Sequence, residues 1–483
     1  GTAGLVAAVG SAGIGARVVM VEREQRPGGD CLWTGCVPSK SLIASAKAAH
    51  LMRTADRFGL PAAAVQVDLA KVMLRVREIQ ETISHHDSTQ RMESLGVDVI
   101  RGEGRFTSQS TMEVNGLTIA FRAALIATGA QPALPPIEGL AEADPLTSDT
   151  IWGLDALPQR IVVLGGGAIG CELGQALARL GAQVTIVEMV DRLMIQEEPE
   201  ASEVIERVLA GEGIEVLTGT KATRVTPGRD GAGTLHVEGP TDDLDLPFDR
   251  ILVATGRTPN TADIGLEALG VELTKRGHVV VDETMRTSTP KIFAAGDVTT
   301  RPPFTHVAGM DASAVVMNAI FGLRRKAAER VLWATFTDPE VGRVGMSEAQ
   351  ARQEFGDEIQ VRTFAHDGLD RAITEGRTDG FTKIVADDKG RIVGATIVSP
   401  TGGEQIATID AWIRAGAKMA TVGTAMHAYP TYAEGIQKVG VEQLRDQWLT
   451  PGKTRLLRPL LGVARAVSRV RSGAVGARSG RVR

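Results

Sequence analysis

Along this chain, short continuous apolar runs alternate with longer segments in which apolar residues recur at helical spacing. Runs such as Arg160 to Leu164 (RIVVL), Gln183 to Val187, Leu125 to Gly129 (LIATG), Ile251 to Gly256 (ILVATG) and Ile292 to Asp297 (IFAAGD) carry no period-two alternation. Such runs predict strands buried on both faces, as in a parallel sheet covered by helices. A helix is predicted through Glu172 to Leu180, between two of these strands. Later runs, Thr337 to Gly345, Gly380 to Val385 (GFTKIV) and Arg391 to Val398 (RIVGATIV), predict strands of a separate sheet. Helices are expected from Ser347 and from Gly403 onward. The order strand, helix, strand predicts an α/β fold, and 483 residues call for roughly three domains at about 150 residues each.

The pattern repeats internally. In the second copy the strand Arg160 to Leu164 leads into Gly165, Gly167 and Gly170, then the helix, then a strand ending on Glu188. The first copy keeps Gly1 and Gly4, a helix, the strand Arg17 to Val21 and Glu22. In each copy 18 residues lead from the last glycine to the acid. Glycines at this junction allow a tight turn and let backbone N–H groups and a helix N-terminus meet a pyrophosphate, while the acid accepts hydrogen bonds from a ribose. One such loop also serves ordinary strand-to-helix junctions. Two with equal spacing point to two dinucleotides, and FAD with NADH or NADPH is the economical assignment. Thr128 and Gly129, Gly256, and Gly296 with Asp297 close three buried strands. Ligands of doubly wound sheets bind at such carboxyl ends, although buried strands reach loops there in any case. The first copy opens on Gly1 inside its loop, so the expectation is that a preceding strand and the natural N-terminus are missing.

Composition narrows the function classes. The formal net charge is -5 and the pI near 6, which gives no electrostatic footprint for nucleic acid. Three cysteines are too few for a disulfide-stapled secreted scaffold, and no run of 18 apolar residues is present, so a cytoplasmic enzyme is the expectation. From Pro451 to Arg483 there are nine Lys or Arg and no acid, interleaved with Leu456, Leu457, Leu460, Leu461 and Val463. Such a tail is read either as a solvated disordered segment or as an amphipathic one that docks on anionic lipid.

Two of the cysteines lie five apart in Gly28-Gly29-Asp30-Cys31-Leu32-Trp33-Thr34-Gly35-Cys36-Val37-Pro38-Ser39-Lys40. They could be small buried hydrophobes or metal ligands, but zinc sites favour shorter spacing with further Cys or His nearby, and no metal site is expected. Pro38 suits the first turn of a helix, which places Cys36 at a helix N-terminus, where the dipole favours a thiolate. A thiol of low pKa is what thiol–disulfide exchange requires. Cys171, without a partner in sequence, reads as packing.

The segment GGDCLWTGCVPSK resembles the redox-active segment of the class I pyridine nucleotide-disulfide oxidoreductases, within the branch of mercuric reductase and dihydrolipoamide dehydrogenase. The resemblance runs from Gly1 to about residue 448. It implies two Rossmann-like dinucleotide-binding domains plus a C-terminal α+β dimerisation domain: FAD-binding over 1–150, NAD(P)-binding over 151–275, a return to the FAD domain over 276–330, dimerisation over 331–450 and the basic tail over 451–483. It further implies that Cys36 faces the flavin and that Cys31 is the interchange thiol. Lys40 would lie near the flavin N5, paired with Glu172, and Gly104, Asp297 and Thr305 would contact FAD. The implied partner is a second copy of the chain, forming a homodimer with shared active sites, and the acceptor is a small molecule.

In that family a His before a Pro, oriented by a Glu, serves the interchange thiol across the dimer. Here the stretch reads His427-Ala428-Tyr429-Pro430-Thr431-Tyr432-Ala433-Glu434, with Tyr429 in the base position. An unperturbed Tyr titrates near pH 10 and does not cycle a proton at neutral pH, so His427 is the substitute to consider. For the nicotinamide, Glu188 favours NADH, while Arg192 four residues on could accommodate the 2′-phosphate of NADPH. The expected function is an FAD-dependent NAD(P)H oxidoreductase that passes electrons through Cys31–Cys36 to a disulfide, a metal ion or another small acceptor. The alternative is a redox-sensing flavoprotein with incidental turnover.

Overall fold

A computed structural model describes residues 1–449, 452, 453, 455 and 459–468. The chain forms two compact units, one from Gly1 to Gly342 and one beginning at Arg343.

The first unit is built around parallel strand pairs. Five strands lie in the order Glu215–Leu217, Gln183–Val187, Arg160–Leu164, Arg250–Val253, Leu146–Thr147, each paired parallel to its neighbour. Their unbroken apolar runs are explained by what covers them: Val162, Leu164, Val187, Val225, Leu235 and Phe248 share one core. Part of that cover is the antiparallel sheet Lys221–Pro227, Gly233–Glu238, Asp243–Phe248. The helix Ala168–Leu180 is buried along most of its length, as expected of a central helix beside a parallel sheet. It is anchored at Arg179, a cation with 5% side-chain exposure held between Glu212 and Asp338, where burial of the charge is matched by paired carboxylates.

The first copy of the repeat pairs Val18–Glu22 parallel with Val97–Arg101, and the strand Ile292–Ala294 pairs parallel with Ala124–Ile126. The apolar runs called strands therefore end earlier than their Ala-Thr-Gly or Ala-Gly-Asp termini. Thr128, Gly129, Gly256 and Asp297 lie in the loops just beyond, at the carboxyl ends. Thr128 and Gly129 are tied to Asn260 by three hydrogen bonds of 2.7 to 3.0 Å.

The second unit holds the antiparallel strands Gln360–Ala365, Phe381–Ala386 and Ile392–Ser399; the last two lie within a residue of the expected runs, Gln360–Ala365 was not expected, and the run from Thr337 forms a strand only over Glu340–Gly345. The helix Glu348–Phe355 starts at Ser347 through a reciprocal capping box with Gln350, and Gly402–Arg414 follows the last strand. His366 is fully buried. Its Nε2 lies 3.0 Å from Thr382 Oγ1, its ring is 6.1 Å from that of Tyr432, and its Nδ1 has no hydrogen-bond partner.

Among the described residues no helix is long and apolar enough to cross a membrane, and no cluster of His, Cys, Asp and Glu is arranged to hold a metal ion. Most of the basic tail, including Leu456 and Leu457, lies outside the described residues; Leu460, Leu461 and Val463 are exposed.

Burial holds the His366 imidazole at about 4, below its ordinary 6.5. An unfolded chain takes up that proton first, so stability falls as pH drops from about 6.5 to 4, by about 3 kcal/mol from this group. Denaturant unfolding at the two pH values is expected to show a smaller acid loss for His366→Gln than for the wild type, and equal losses would contradict it.

Candidate active site

The redox segment owes its shape to glycine. Gly28 and Gly29 have φ of +131° and +63°, conformations that L side chains rarely adopt. A Cβ on Gly29 would sit 2.5 Å from the Cα of Gly1, so the segment packs backbone to backbone against the first glycine loop. A short helix, Gly29–Trp33, then carries Cys31. The sequence pattern did not show this element, because it has a single turn and no periodicity. Gly35 follows, and the long helix Cys36–Arg53 begins on the second cysteine, as Pro38 in its first turn suggested.

Both cysteines are free thiols, Cys36 exposed and Cys31 half-buried. Cys36 is pulled down to about 6, first by the hydrogen bond it receives from Cys31, and further by Thr305 and the charge of Lys40, against burial and Glu172. Cys31 is pushed well above the usual thiol range by the same hydrogen bond and by burial. Cys36 Sγ lies 3.5 Å from Thr305 Oγ1. Thr305, expected to contact FAD, stands beside this thiol at the start of the helix Thr305–Phe321.

Lys40, one turn after Cys36, places Nζ 2.8 Å from Glu172 Oε2 and 4.5 Å from the centre of the Phe336 ring. The other oxygen of Glu172 accepts the N–H of Phe336 at 2.8 Å. The expected Lys40–Glu172 pair is present, joining the redox helix to the helix of the second glycine loop. Cys171 is fully buried, donates to the Gly166 carbonyl at 3.3 Å, and is pushed up by burial; it packs, as expected.

A cleft of about 2070 Å³ runs past Gly1, Gly4, Glu22, Gly104, Asp30 and Thr128, larger than a pocket for a drug-sized ligand. Gly1 precedes the helix Thr2–Gly13 without a side-chain cap, so the helix N–H groups at this end have no side-chain acceptor. A Cβ on Gly104 would sit 2.7 Å from Met112.

Beside the cleft stands Arg257, which the sequence reading missed. It pairs with Asp30, lies 3.9 Å from Asp149 and 4.0 Å from Asp297, and donates to the Ala130 carbonyl at 2.6 Å. Its buried Nε has no hydrogen-bond partner. Burial pushes the carboxyls of Asp30 and Asp297 up, against the pull of Arg257. A helix terminus without a side-chain cap and an arginine whose buried Nε makes no hydrogen bond fit the pyrophosphate of FAD. The signal was available: Arg257 directly follows Ala254-Thr255-Gly256 at a strand's carboxyl end.

At the second loop, Gly165 has φ +110° and a Cβ there would sit 2.6 Å from the Ala254 carbonyl oxygen. A Cβ on Gly170 would collide with the Gly165 carbonyl oxygen, while Gly167 faces open space. Glu188 accepts the N–H of Gly166 at 2.6 Å and that of Val190 at 3.0 Å, so its carboxylate is fixed at the loop. Arg192 instead donates to the carbonyls of Ile195 at 2.6 Å and Glu197 at 3.3 Å.

In the second unit Tyr429 is exposed and its hydroxyl donates to Asp370 at 2.6 Å. That hydrogen bond pushes the phenol up, away from any use as a base near neutral pH. Glu434 is buried and accepts the backbone N–H of Thr431 at 3.2 Å. His427 Nδ1 lies 3.2 Å from the Ala425 carbonyl oxygen. The expected pairing of the base position with Glu434 is therefore replaced by a Tyr429–Asp370 bond.

The sequence pattern of the family described as pyridine nucleotide-disulphide oxidoreductase matches residues 1–312, and that family's dimerisation domain matches residues 331–439. A mercuric reductase from Lysinibacillus sphaericus is 36% identical over 451 residues, 93% of this chain and 82% of that protein. A dihydrolipoyl dehydrogenase from Thermus scotoductus is 33% identical over 455 residues, 92% of this chain and 96% of that protein. Among solved structures, the HOCl-induced flavoprotein disulfide reductase RclA from Escherichia coli has a TM-score of 0.79 at 28% identity, with 91% of this chain and 98% of that one covered. LpdA from Mycobacterium tuberculosis has a TM-score of 0.82 at 26% identity, with 92% and 98% covered. The chain belongs to the pyridine nucleotide-disulphide oxidoreductases, enzymes that use FAD and NAD(P)H with a redox-active disulfide to reduce an acceptor.

Proposed function

We propose that Cys31 and Cys36 are the relay of an NADH-dependent reductase of a small acceptor. The observation that carries this reading is the placement of Cys36 at the start of the helix Cys36–Arg53, its sulfur 3.5 Å from Thr305 Oγ1 and one turn from the Lys40–Glu172 pair, with Cys31 on the short helix just before it. Cys36, at a helix N-terminus with its thiolate favoured, faces the flavin. Cys31, held protonated until it reacts, meets the acceptor. FAD, when bound, would supply hydride acceptance from the nicotinamide and two-electron transfer to the cysteine pair. The protein's part is to hold these groups. Gly1, Gly4, Glu22, Gly104, Thr128, Gly129, Gly296, Asp297, Thr305, Arg257 and Lys40 would hold FAD, with Glu172 fixing Lys40. Gly165, Gly167, Gly170, Glu188 and Gly256 hold the nicotinamide nucleotide.

NADH is favoured because Glu188 stands fixed where a 2′-phosphate would bring like charge, and Arg192 is engaged with two backbone carbonyls rather than presented to it. The acceptor is a disulfide, a metal ion or another small electron acceptor, in keeping with relatives named mercuric reductase and flavoprotein disulfide reductase. No cysteine follows Cys171, so a C-terminal thiol pair for metal delivery is absent from this sequence. The matched dimerisation domain supports a homodimer, within which active sites are shared. A cytoplasmic location and contact of the basic tail with anionic lipid remain proposals of the sequence.

In the reduced protein the ultraviolet thiolate absorbance of Cys36 is expected to titrate near pH 6. Cys31→Ala removes its main hydrogen-bond donor and is expected to raise that midpoint by about one unit or more; an unmoved midpoint would contradict the asymmetry. Initial rates with an excess of an aromatic disulfide are expected to give a kcat/KM for NADH about tenfold or more above that for NADPH. The advantage should vanish in Glu188→Ala. Equal values for the wild type would overturn the NADH assignment, and no oxidation of either nucleotide would overturn the enzyme reading.

A further inference from the structure

The turn that joins the two cysteines satisfies little of its own backbone. Cys31 rides on the short helix Gly29–Trp33, and a helix of that length neither hydrogen-bonds its last carbonyls internally nor stands alone in water. Four residues, Leu32 to Gly35, separate Cys31 from Cys36. The N–H groups of Thr34 and Gly35 both donate to the Asp30 carbonyl, at 3.0 and 2.5 Å, and the Gly35 carbonyl accepts from Ser39 N–H at 3.0 Å, within the redox helix. The carbonyls of Leu32, Trp33 and Thr34 are left for donors from elsewhere in the chain.

Those donors are two side chains outside the motif. Gln80 Nε2 donates to the Leu32 carbonyl at 3.0 Å and to the Trp33 carbonyl at 2.8 Å. Trp152 Nε1 donates to the Thr34 carbonyl at 2.9 Å and to that of Ser148 at 2.7 Å. Gln80 lies on the helix Leu69–Ser84, whose buried residues are Leu69, Met73, Val76 and Gln80. An amide in a stripe that helical spacing otherwise fills with apolar side chains, only 6% exposed, is tolerated there because its bonds are made. The same helix is fixed on the far side of Cys36, where Arg75 donates to the Ser41 carbonyl at 3.0 Å and to Ser45 Oγ at 3.3 Å. Glu81 pairs with Arg26 at 2.8 Å, and Arg26 lies over the Trp33 ring at 5.1 Å.

A disulfide closes only when its two sulfurs meet, so the equilibrium between dithiol and disulfide depends on how much of its time the backbone between them spends in the closing shape. Leu32 to Gly35 is that backbone here. Cys36 is set at the start of its own helix, with its sulfur 3.5 Å from Thr305 Oγ1, which leaves the Cys31 side as the one whose position the turn decides. Each carbonyl of the turn held from outside removes alternative shapes. We propose that Gln80 is a positioning residue of the redox pair: by capping the helix that carries Cys31 it holds the turn in the shape that closes, and so sets how strongly Cys31 and Cys36 favour the disulfide. This rests on the reading of Cys31 and Cys36 as the redox pair.

With glutathione disulfide as oxidant the change balances as follows. The Cys31 sulfur bonds to one sulfur of glutathione disulfide, whose S–S bond breaks, and the released glutathione takes up the Cys31 proton. The Cys36 thiolate then attacks the Cys31 sulfur of the mixed disulfide, closing Cys31–Cys36 and releasing the second glutathione, which takes up the proton that Cys36 gave to solvent. Two electrons pass from the dithiol to glutathione disulfide, which becomes two glutathione thiols.

The test equilibrates the FAD-loaded full chain anaerobically in glutathione buffers at neutral pH and reads the fraction of Cys31–Cys36 disulfide by alkylation and mass spectrometry. Gln80→Met keeps the length of the side chain and removes its donor. It is expected to lower the equilibrium constant for disulfide formation about tenfold, equivalent to about 30 mV in the potential of the pair. Met73→Ala opens a cavity on the same buried face of the helix; it is expected to lower the melting temperature and leave the constant unchanged. An unchanged or raised constant in Gln80→Met would overturn the proposal. A fall of the same size in Met73→Ala would overturn it too, by tracing the effect to general loosening of the helix. A wild type that forms no Cys31–Cys36 disulfide in any buffer would remove the reading of the pair and the proposal together, whereas a wild type that forms it beside an unaltered Gln80→Met removes the proposal alone.

Discussion

The placement of Cys31 and Cys36 on two successive helix starts, Gly29–Trp33 and Cys36–Arg53, is the constraint on which the rest of this site depends. Everything around it serves that placement. Gly28 and Gly29 turn the chain with positive φ and let the segment lie against Gly1. Gln80 holds the backbone after Cys31, Trp152 donates to the Thr34 carbonyl at 2.9 Å, and Thr305 meets Cys36 from another helix. Five stretches far apart in sequence converge on one pair of sulfur atoms.

That convergence ties the redox centre to both nucleotide regions. Lys40 joins the redox helix to Glu172, which lies on the helix of the second glycine loop. Asp30, just before Cys31, pairs with Arg257, which also stands near Asp149 and Asp297. Charges near the thiols are therefore balanced in pairs rather than left to solvent. A low effective dielectric makes such pairs matter more than they would on the surface, and makes the loss of one partner costly.

What was legible in the sequence was local. The glycine loops, the acids eighteen residues on and the Cys31–Cys36 segment show through because turn geometry and helix starts restrict residue types within a few positions. Strand positions were also legible, but their ends were overrun: Thr128, Gly129, Gly256 and Asp297 continue the apolar runs while lying in loops. What was not legible depends on contacts across long separations. Gln80 looks like an ordinary helix residue until the helix is seen against Leu32 and Trp33. The partner of Tyr429, Asp370, is 59 residues away and carries no motif.

The proposed relay requires Cys36 to be a thiolate beside the flavin. The most direct measurement is an anaerobic titration of the FAD-loaded protein with NADH, following the visible spectrum and counting thiols by alkylation. The account predicts that about two electrons per subunit produce two alkylatable thiols and a long-wavelength thiolate-to-flavin band, one that disappears in Cys36→Ser. Full bleaching of the flavin with neither new thiols nor that band would contradict it.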